Sequence, residues 1–415
     1  MKVIPTMKTL LAGAFALILA APSLRAENWP TWRGPRLDGT SLERDVPTKW
    51  SPTENIVWRT ELPGGGHASP IVWEDKIFTE AANPETEERL LVCLDRRNGN
   101  ILWQQSVLKS PMERKHKENS FASSTPATDG KRVFCTFLDQ PEVVVAAYDM
   151  DGKTLWQKRP GTFHSVHGFS STPILFEGKV IVNCDQDGDG YIVALAQDDG
   201  HEVWRIDRPN KTRSYCTPFI RTVGGATEMV LSGSKCVTSY DPRSGKLRWI
   251  IDGPTEQFVA SMVYNERANI FFLTAGFPEH HILAIRPGGD GNVTQTGILW
   301  RTQGAAAAAY VPSPIAEGDY CLVISDTGFA NCFDAKTGNI LWQTRMSHHH
   351  ASLVSANGLV YFLSDKGTCN VVRPGPTFDL VATNEIGEST YASPAISQAQ
   401  IFIRGEKSLF CIGKR

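Results

Sequence analysis

The stretch Cys332-Phe-Asp-Ala-Lys-Thr-Gly-Asn-Ile-Leu-Trp342 recurs along this chain with small changes. It returns as residues 94–103 and 240–249, and in shorter forms as residues 148–156 and 197–204. In all five copies a glycine stands four residues before the tryptophan. An apolar strand, an Asp/Asn-rich turn, a glycine that can adopt positive φ and a second strand together make a tight β-hairpin. The repeat therefore predicts a series of hairpins, each ending in a tryptophan large enough to wedge between neighbouring units.

A second marker opens each repeat: a small residue, usually followed by proline, and then an apolar strand. The copies are Ser69-Pro70, Thr125-Pro126, Thr172-Pro173, Thr217-Pro218, Ser313-Pro314 and Ser393-Pro394, with degenerate copies at Ser261-Met262 and Ser352-Leu353. These eight starts lie 39–56 residues apart, which leaves room for four short strands and their turns in each unit. Helix signals are nearly absent. This period predicts an all-β fold, an eight-bladed β-propeller.

The two ends of the chain predict how the ring closes. The eighth repeat supplies three strands and ends without a tryptophan strand, whereas an orphan strand around Trp58 precedes the first repeat. We expect the orphan strand to pair with the segment around Phe410 and complete the last blade, because closure removes exposed sheet edges. The fifth repeat carries an insertion at 286–294, and the seventh has a strand near Phe378 in place of the tryptophan strand. The tryptophans predicted to lie between blades are Trp58, Trp103, Trp156, Trp204, Trp249, Trp300 and Trp342.

Residues 1–26 have the features of a secretory signal peptide. Lys2 and Lys8 precede the apolar run of residues 10–21, and Ala26 fits a cleavage point. The run is too short for a spanning helix, and no other segment is long enough for one. We therefore divide the chain into a signal peptide (1–26), an extended N-terminal segment on the body (27–54) and the propeller (55–415). We expect an exported monomer in the periplasm or outside the cell.

Charge and cysteine content exclude several classes of protein. Beyond residue 26 the chain has 39 basic and 44 acidic residues, so it lacks the basic balance of a nucleic-acid-binding protein. The nine cysteines include no Cys-x-x-Cys and no adjacent pair, which excludes the common zinc and redox motifs. Cys93, Cys332 and Cys411 share one place in their repeats, which favours small buried apolar side chains. Whether Cys321 and Cys332 are bridged across their turn stays open, because opposed strand residues rarely meet disulfide geometry.

In a propeller the loop before each opening strand rims the mouth of the central channel. Three or four positions upstream of the opening markers stand mostly aromatic and imidazole residues, with three further polar residues just beyond. The predicted ligand site is His67, His167, Phe169, Tyr215, Tyr310, His349, His350 and Tyr391, with Phe258, His164 and Arg213 nearby. A concave mouth with aromatic walls and a few convergent polar groups is the usual ligand site of such a fold. The alternative is that these side chains only pack the channel and bond to one another.

Two motifs look like metal sites. The run His348-His-His350 is one, but successive strand residues face opposite sides, so no more than two of the three can converge. Residues 185–190, Asp-Gln-Asp-Gly-Asp-Gly, match the first half of a calcium loop, yet positions nine and twelve are Val193 and Ala196. An Asp/Gly-rich turn explains this run equally well. Hydrolase and phosphate-loop motifs are absent, so we predict no metal site and no catalytic residue.

The pattern Asp-x-x-Thr-Gly-x-x-x-Trp, with the Ser/Thr-Pro openings, resembles the tryptophan-docking repeats of PQQ-type β-propellers. It is most similar to the secreted bacterial PQQ-like, BamB-like propellers, in which the opening at residues 29–35 and the segments at 62–66 and 391–396 are also typical. This resemblance implies a PQQ-like, eight-bladed propeller. It also implies a non-catalytic scaffold that binds a protein or a small ligand, although no cysteine precedes Cys93 to carry a lipid anchor.

The resemblance also leaves an alternative, a PQQ-dependent quinoprotein dehydrogenase that oxidises an alcohol or a sugar with PQQ and calcium. The chain departs from that family at three points. It has no adjacent cysteine pair to cap the quinone, no recognisable Glu/Asn/Asp calcium set and no haem Cys-x-x-Cys-His. We therefore expect a binding module without a cofactor, and PQQ with calcium only in the alternative.

Overall fold

The computed structural model describes Met1 and residues 26–414. The predicted signal peptide lies outside the described residues except for Met1 and Ala26. Every regular element within residues 26–414 is a β-strand. No helix in that part of the chain is long and apolar enough to cross a membrane. The strands form eight sheets, one for each repeat opening, which confirms the predicted eight-bladed β-propeller.

The strands are numbered along the chain, and two of them, β1 (Thr40–Ser41) and β2 (Ile56–Glu61), precede the first repeat. Blades 1 to 4 each contain four antiparallel strands in chain order. In blade 1 these are β3 (Ile71–Trp73), β4 (Lys76–Asn83), β5 (Glu88–Asp95) and β6 (Ile101–Lys109). In blade 2 they are β7 (Ala127–Thr128), β8 (Arg132–Asp139), β9 (Glu142–Asp149) and β10 (Thr154–Lys158). In blade 3 they are β11 (Ile174–Phe176), β12 (Lys179–Cys184), β13 (Tyr191–Ala196) and β14 (Glu202–Asp207). In blade 4 they are β15 (Phe219–Val223), β16 (Ala226–Gly233), β17 (Cys236–Tyr240) and β18 (Leu247–Asp252).

Blades 5 to 8 follow the same plan, with an extra strand on blade 7, an insertion in blade 5 and an N-terminal strand completing blade 8. Blade 5 contains β19 (Val263–Asn265), β20 (Ile270–Ala275), β21 (His281–Ile285) and β23 (Ile298–Gln303), while β22 (Gly291–Asn292) in its insertion pairs in parallel with β18 of blade 4. Blade 6 contains β24 (Ile315–Glu317), β25 (Tyr320–Ile324), β26 (Phe329–Asp334) and β27 (Ile340–Arg345). Blade 7 contains β28 (Val354–Ala356), β29 (Leu359–Leu363), β30 (Thr368–Arg373) and β31 (Asp379–Glu385), with β1 added beside β28. Blade 8 contains β32 (Ala395–Ser397), β33 (Gln400–Arg404), β34 (Ser408–Ile412) and β2.

The two ends of the chain close the ring as predicted. Strand β2 pairs antiparallel with β34, so that Trp58 lies opposite Cys411 and Arg59 lies opposite Phe410. Blade 8 is thereby the one blade whose outer strand comes from the other end of the sequence. This pairing leaves the last sheet complete, so its outer edge is equivalent to that of the other blades.

The repeated glycine explains how the tryptophans join neighbouring blades. The ring of Trp103 in blade 1 lies on the turn of blade 2, where a Cβ on Gly152 would be 2.8 Å from it. The Trp103 indole N–H also donates to the Met150 carbonyl in that turn, at 3.2 Å. The same contact joins Trp58 to Gly99, Trp156 to Gly200, Trp204 to Gly245 and Trp300 to Gly338. The glycine is therefore required twice, for its positive φ and for the space that the tryptophan ring occupies.

The cysteines sit on the strand opposite these tryptophans. Cys93, Cys332 and Cys411 are the cross-strand partners of Trp103, Trp342 and Trp58, where a small side chain leaves room for the indole. All nine cysteines are buried and free. Cys332 pairs with Leu322 rather than with Cys321, so the two sulfurs lie on opposite faces of the sheet and form no disulfide.

The hydroxyl residues of the opening markers form a belt around the channel. At this position the backbone N–H of one blade donates to the side-chain hydroxyl of the next blade, for example from Ser69 to Thr125 at 3.0 Å. Seven of the eight links are present, and the structure shows no such bond from Thr172 to Thr217. The bonded steps run Ser69 to Thr125 to Thr172, and Thr217 to Ser261 to Ser313 to Ser352 to Ser393 to Ser69. A hydroxyl is therefore needed here as an acceptor between blades.

The N-terminal segment crosses one end of the channel, which differs from the extended course on the body that we expected. Residues 31–39 form consecutive turns, with positive φ at Arg33, Gly34, Leu37 and Gly39, because Pro and Gly interrupt an extended course. The segment bonds to blades on opposite sides of the ring. Backbone hydrogen bonds join Trp29 to Val72 of blade 1, Pro30 to Thr128 of blade 2 and Gly39 to Ser355 of blade 7, and the Arg33 side chain donates to the Pro314 carbonyl of blade 6. The proposed domain boundaries stay predictions.

Candidate functional site

A cavity of about 680 Å³ occupies the mouth of the channel, and we call it the cup. Its floor is Trp32 of the N-terminal segment, next to Arg33, which is held to the carbonyl of Pro314 directly after the belt. Hydroxyls of the belt line its lower wall, and the loops before the opening strands line its upper wall. The channel is therefore open at one end and closed at the other. Its volume lies within the ~300–1,000 Å³ range of small-molecule pockets.

One wall of the cup carries Tyr391 between two imidazoles. The centre of its ring lies 4.7 Å from that of His67 and 4.3 Å from that of His350. Burial lowers the pKa of His350, but the hydrogen bond from its Nδ1 to Asp365 Oδ2, at 2.9 Å, and the carboxylate charge outweigh burial, so that the pKa is raised. Burial and the positive charge of Arg404 lower the pKa of His67 to about 3. The two imidazoles on one tyrosine therefore differ in their tendency to carry a proton.

The opposite wall is organised by Tyr215. Its hydroxyl lies 2.9 Å from His167 Nδ1 and 2.5 Å from Ser165 Oγ. Burial, the charge of Arg213 and that of His116 lower the pKa of His167, so this imidazole is neutral at neutral pH. His116 comes from the long connection at 110–126 and contacts His167 edge to face, with ring centres 5.7 Å apart. His116 lies 3.8 Å from the exposed Glu118 carboxylate, whereas the Tyr215 hydroxyl and His167 Nδ1 bond to no carboxylate in the described part of the chain, in contrast to His350 on the other wall.

A third wall carries Tyr310 and Phe277. The Tyr310 hydroxyl donates to Gln257 Oε1 at 3.0 Å, and its ring lies 6.5 Å from that of Phe277. Asp326 accepts the backbone N–H groups of Tyr310 and Val311 at 2.7 and 2.9 Å. Burial raises the pKa of Asp326 despite these bonds. The carboxylate therefore holds the loop in place rather than presenting a free charge to the cup.

Six of the eight predicted ligand-site residues line the cup, namely His67, His167, Tyr215, Tyr310, His350 and Tyr391. Phe169 does not, because its ring packs edge to face on Phe163 in the core between blades 2 and 3. His349 is also fully buried, and its Nδ1 bonds to the Ser347 carbonyl at 2.6 Å. His348 and His350 line the cup, while the middle histidine turns away from it, and all three lie in the connection between β27 and β28 rather than on a strand. Ligand binding at these residues stays a prediction.

Several lining residues were not predicted from the sequence. They are Trp32 at the floor, His116, Glu118 and Asn119 from the connection at 110–126, and Phe277, His280 and Asp326 from the loops of blades 5 and 6. The unusual length of the 110–126 connection is a signal that could have drawn attention to it. Nothing in the local sequence places Trp32 under the channel, because that position depends on contacts with four blades.

The calcium-like loop at 185–190 holds three separate ion pairs. Asp185 pairs with Arg208 at 2.8 Å, and both side chains are fully buried. Asp187 pairs with Arg213, and Asp189 pairs with Lys211. The three carboxylates thus point to three different cations and do not converge on one ion. Among the described residues no group of three or more His, Cys, Asp or Glu side chains is placed to hold a metal.

The sequence profile of one protein family, described as outer membrane protein assembly factor BamB, matches residues 86–268 and 290–376, which is more than half of the chain. This chain belongs to the BamB family. The match skips residues 269–289, which run from the second strand of blade 5 to the start of its insertion. No curated protein matches the sequence.

Solved structures share the fold of this BamB family member at low sequence identity. BamB from Moraxella catarrhalis has a TM-score of 0.62 at 11% identity and covers 87% of this chain and 97% of its own. The quinohemoprotein alcohol dehydrogenase of Comamonas testosteroni has a TM-score of 0.66 at 11% identity, covering 94% and 81%. A europium-containing methanol dehydrogenase has a TM-score of 0.58 at 11% identity, covering 93% and 98%. At this identity the likeness shows the PQQ-type propeller fold alone, which both kinds of protein share.

The cup of this BamB family member does not fit PQQ with a metal ion. A polycarboxylate quinone needs free cations, but Arg213 is the one arginine or lysine in the described lining, and it makes two 2.8 Å bonds to Asp187. A calcium ion needs convergent oxygen ligands. Asp326 bonds to backbone N–H groups and Asp365 bonds to His350, so these carboxylates are already used.

Proposed function

We propose that this BamB family member is a non-catalytic, exported binding module whose cup holds a small ligand or an exposed end of a partner. The observation that supports the proposal most strongly is the closed floor beneath rings that the protein already holds in place. Tyr391 is held between the edge-to-face ring of His67 and the tilted ring of His350, and Tyr215 and Tyr310 are each hydrogen-bonded to a neighbouring side chain. Side chains fixed in this way lose little freedom on binding, which favours recognition.

The side chains of the cup do not support a catalytic function. In the described part of the chain, no side-chain nitrogen of the imidazoles near Tyr391 and Tyr215 bonds directly to a serine or cysteine side chain, because His167 Nδ1 bonds to the Tyr215 hydroxyl and Ser165 Oγ bonds to that hydroxyl and to the His167 backbone N–H. All nine thiols are buried, and burial raises the pKa of Cys216, the cysteine beside the belt, to about 12. A thiol with a raised pKa is a poor nucleophile at neutral pH. We therefore assign the ordered polar groups of the cup to recognition.

Export is the second part of the proposal. The family description places a relative in outer membrane assembly, and the predicted signal peptide at 1–26 is consistent with passage across a membrane. We also predict that the protein is a monomer, and measuring its mass in solution tests this. Expression with residues 1–26 intact and recovery from the periplasmic or culture fraction tests export. Recovery only from the cytoplasm would contradict it.

The binding role is tested by comparing retained molecules with and without an intact cup. Purified whole protein, a His350→Ala/Tyr391→Ala variant and an outer-strand control, Leu102→Ala, are incubated with an extract of the producing cell's envelope. Leu102 is 48% exposed on β6, away from the mouth. We expect a small molecule or protein, identified by mass spectrometry, to be retained by the wild type and the control and lost from the cup variant. Equal retention by all three would place binding elsewhere.

The dehydrogenase alternative is tested in the same preparation. PQQ and Ca²⁺ are added to the wild type, and dye-linked oxidation of alcohols and sugars is followed. We expect neither tight PQQ binding nor oxidation above the level without protein, because the paired charges of the cup leave no free cation for the quinone. Turnover that depends on the protein would overturn the non-catalytic proposal.

A further inference from the structure

The charged side chains inside the cup already have ion-pair or hydrogen-bond partners before any ligand arrives. Arg213 is paired with Asp187, His350 with Asp365, and Asp326 with two backbone N–H groups. A phosphate or carboxylate ligand would need a free cation, and a metal or ammonium ligand would need free carboxylates. Glu118 is the remaining charged side chain in the described lining, and it is exposed at the rim beside His116. The interior therefore suits a ligand without net charge.

Aromatic side chains line the floor and the walls of the cup. The Trp32 ring forms the floor and is half-buried, and its indole N–H has no hydrogen-bond partner among the described residues. Tyr391 and Tyr310 face the cavity from the walls. The face of an aromatic ring carries partial negative charge and attracts the C–H groups of a stacked partner. A ligand ring with an apolar C–H face meets these surfaces without losing hydrogen bonds.

Between the rings, the cup presents polar groups with unused hydrogen-bonding capacity. The bond between His350 Nδ1 and Asp365 leaves His350 Nε2 without a protein partner in the described structure. Below it, the hydroxyls of the belt reach the cavity at Ser69 and Thr217, among others. Imidazoles and hydroxyls both donate and accept hydrogen bonds, as the hydroxyls of a sugar do. Aromatic faces alternating with such groups match a pyranose, which has an apolar face and a rim of hydroxyls.

We infer that the cup binds the terminal residues of a neutral saccharide. This inference rests on the proposed function and specifies the ligand of the same site. Because the N-terminal segment closes the channel beneath Trp32, a polymer cannot thread through, and only a chain end or a short oligosaccharide enters. The terminal ring lies on Trp32, and the next ring lies between Tyr391 and Tyr310.

The experiment measures binding of a defined panel to the purified whole protein by calorimetry and by saturation-transfer NMR. The panel contains neutral gluco-, manno- and xylo-oligosaccharides, uronic acid oligosaccharides and short uncharged peptides. We expect a neutral oligosaccharide to bind, with the strongest saturation on its terminal residue. Trp32→Ala and Tyr391→Ala each weaken that binding about tenfold, and Leu102→Ala leaves it unchanged.

Two features keep the outcomes distinguishable. Trp32→Ala removes part of the floor, so Tyr391→Ala, which leaves the N-terminal segment intact, is an independent variant, and thermal unfolding checks that both are folded. Binding of peptides or of uronic acid oligosaccharides in the cup, without neutral saccharides, overturns the inference and leaves the proposed binding role in place. A neutral saccharide whose affinity neither variant changes also overturns the inference. If no ligand of any class depends on the cup, the proposed function fails as well.

Discussion

The interface between blades 1 and 2 and the interface between blades 4 and 5 bury a tryptophan in different ways. At the first, Trp103 lies on the glycine turn of the next blade and is partly exposed. At the second, blade 5 has no such turn, and Trp249 is fully buried. Its indole N–H donates to Glu228 of its own blade at 2.8 Å, and the insertion of blade 5 pairs with its strand through β22. An inserted segment thus takes over the role of the glycine turn.

The channel ends of the two interfaces are the same, although their outer ends differ. Ser69 N–H donates to Thr125 Oγ1 between blades 1 and 2, and Thr217 N–H donates to Ser261 Oγ between blades 4 and 5. The comparison indicates that the ring is held at the channel by a shared backbone-to-hydroxyl bond. At the outer side of the blades the ring is held by the segment that packs on the tryptophan, either the glycine turn or the insertion. Substitutions at the outer end and at the channel end of an interface should therefore lower the free energy of unfolding by different amounts.

The largest effect is expected for Trp249→Ala. The side chain is fully buried, and its loss leaves a cavity and removes one of the two donors to the buried carboxylate of Glu228. Such a truncation costs about 3–5 kcal/mol of the free energy of unfolding. Urea unfolding followed by circular dichroism measures it. A loss below about 1 kcal/mol would show that the insertion closes the interface without the indole.

Trp103→Ala should lower the free energy of unfolding by less, about 2 kcal/mol. This ring is partly exposed, so part of its apolar surface already contacts water in the folded protein and is not lost on truncation. The same unfolding measurement applies. The difference between the two tryptophan variants is the result that matters. Equal losses would contradict the view that the insertion buries Trp249 more completely than the glycine turn buries Trp103.

A pair of glycines separates backbone strain from the contact with tryptophan. Gly152 and Gly291 both have positive φ, 88° and 65°, but an added Cβ would meet Trp103 at 2.8 Å only at Gly152 and open space at Gly291. We expect Gly291→Ala to cost about 1 kcal/mol and Gly152→Ala about 2 kcal/mol or more, since the second adds overpacking to strain. Thermal unfolding of the two variants gives the comparison. A Gly152→Ala protein as stable as Gly291→Ala would refute the contact.

The smallest effect is expected at the belt, in a matched pair of threonines. Thr125 Oγ1 accepts the Ser69 N–H, whereas no belt N–H bonds to Thr217 Oγ1. Thr125→Val should therefore cost about 1 kcal/mol, and Thr217→Val should cost clearly less. The change in unfolding midpoint in urea measures both. If the two substitutions are equivalent, the belt bond does not contribute to closure of the ring.

Much of the ring could be predicted because its signals are local. The glycine four residues before five of the tryptophans, and the small hydroxyl residue before each opening strand, identify a hairpin and a strand start without knowledge of the rest of the chain. Counting them predicted eight blades, and the missing strand at one end predicted the pairing of β2 with β34, which the structure confirms. The role of the belt hydroxyl as an acceptor was not predicted, because its donor lies in another blade.

The cup was predicted less completely. Alternation along a strand predicted that His348, His349 and His350 could not all converge, but not that the middle one faces the core. Phe169, like Tyr215, is an aromatic residue in the loop before an opening strand, yet its ring packs on Phe163 instead of lining the cup. The carboxylates of the calcium-like loop pair with cations 22–26 residues further on, and no spacing rule reveals those pairs.

The amino-acid sequence alone determined the class of fold, the number of blades and the closure of the ring, because turn chemistry and strand patterns act over a few neighbouring residues. Only the tertiary structure decided that the channel is a cup. Trp32 is its floor because the N-terminal segment bonds to blades 1, 2, 6 and 7 at once. The direction of each lining side chain likewise follows from contacts between residues far apart in the chain, which no local pattern encodes.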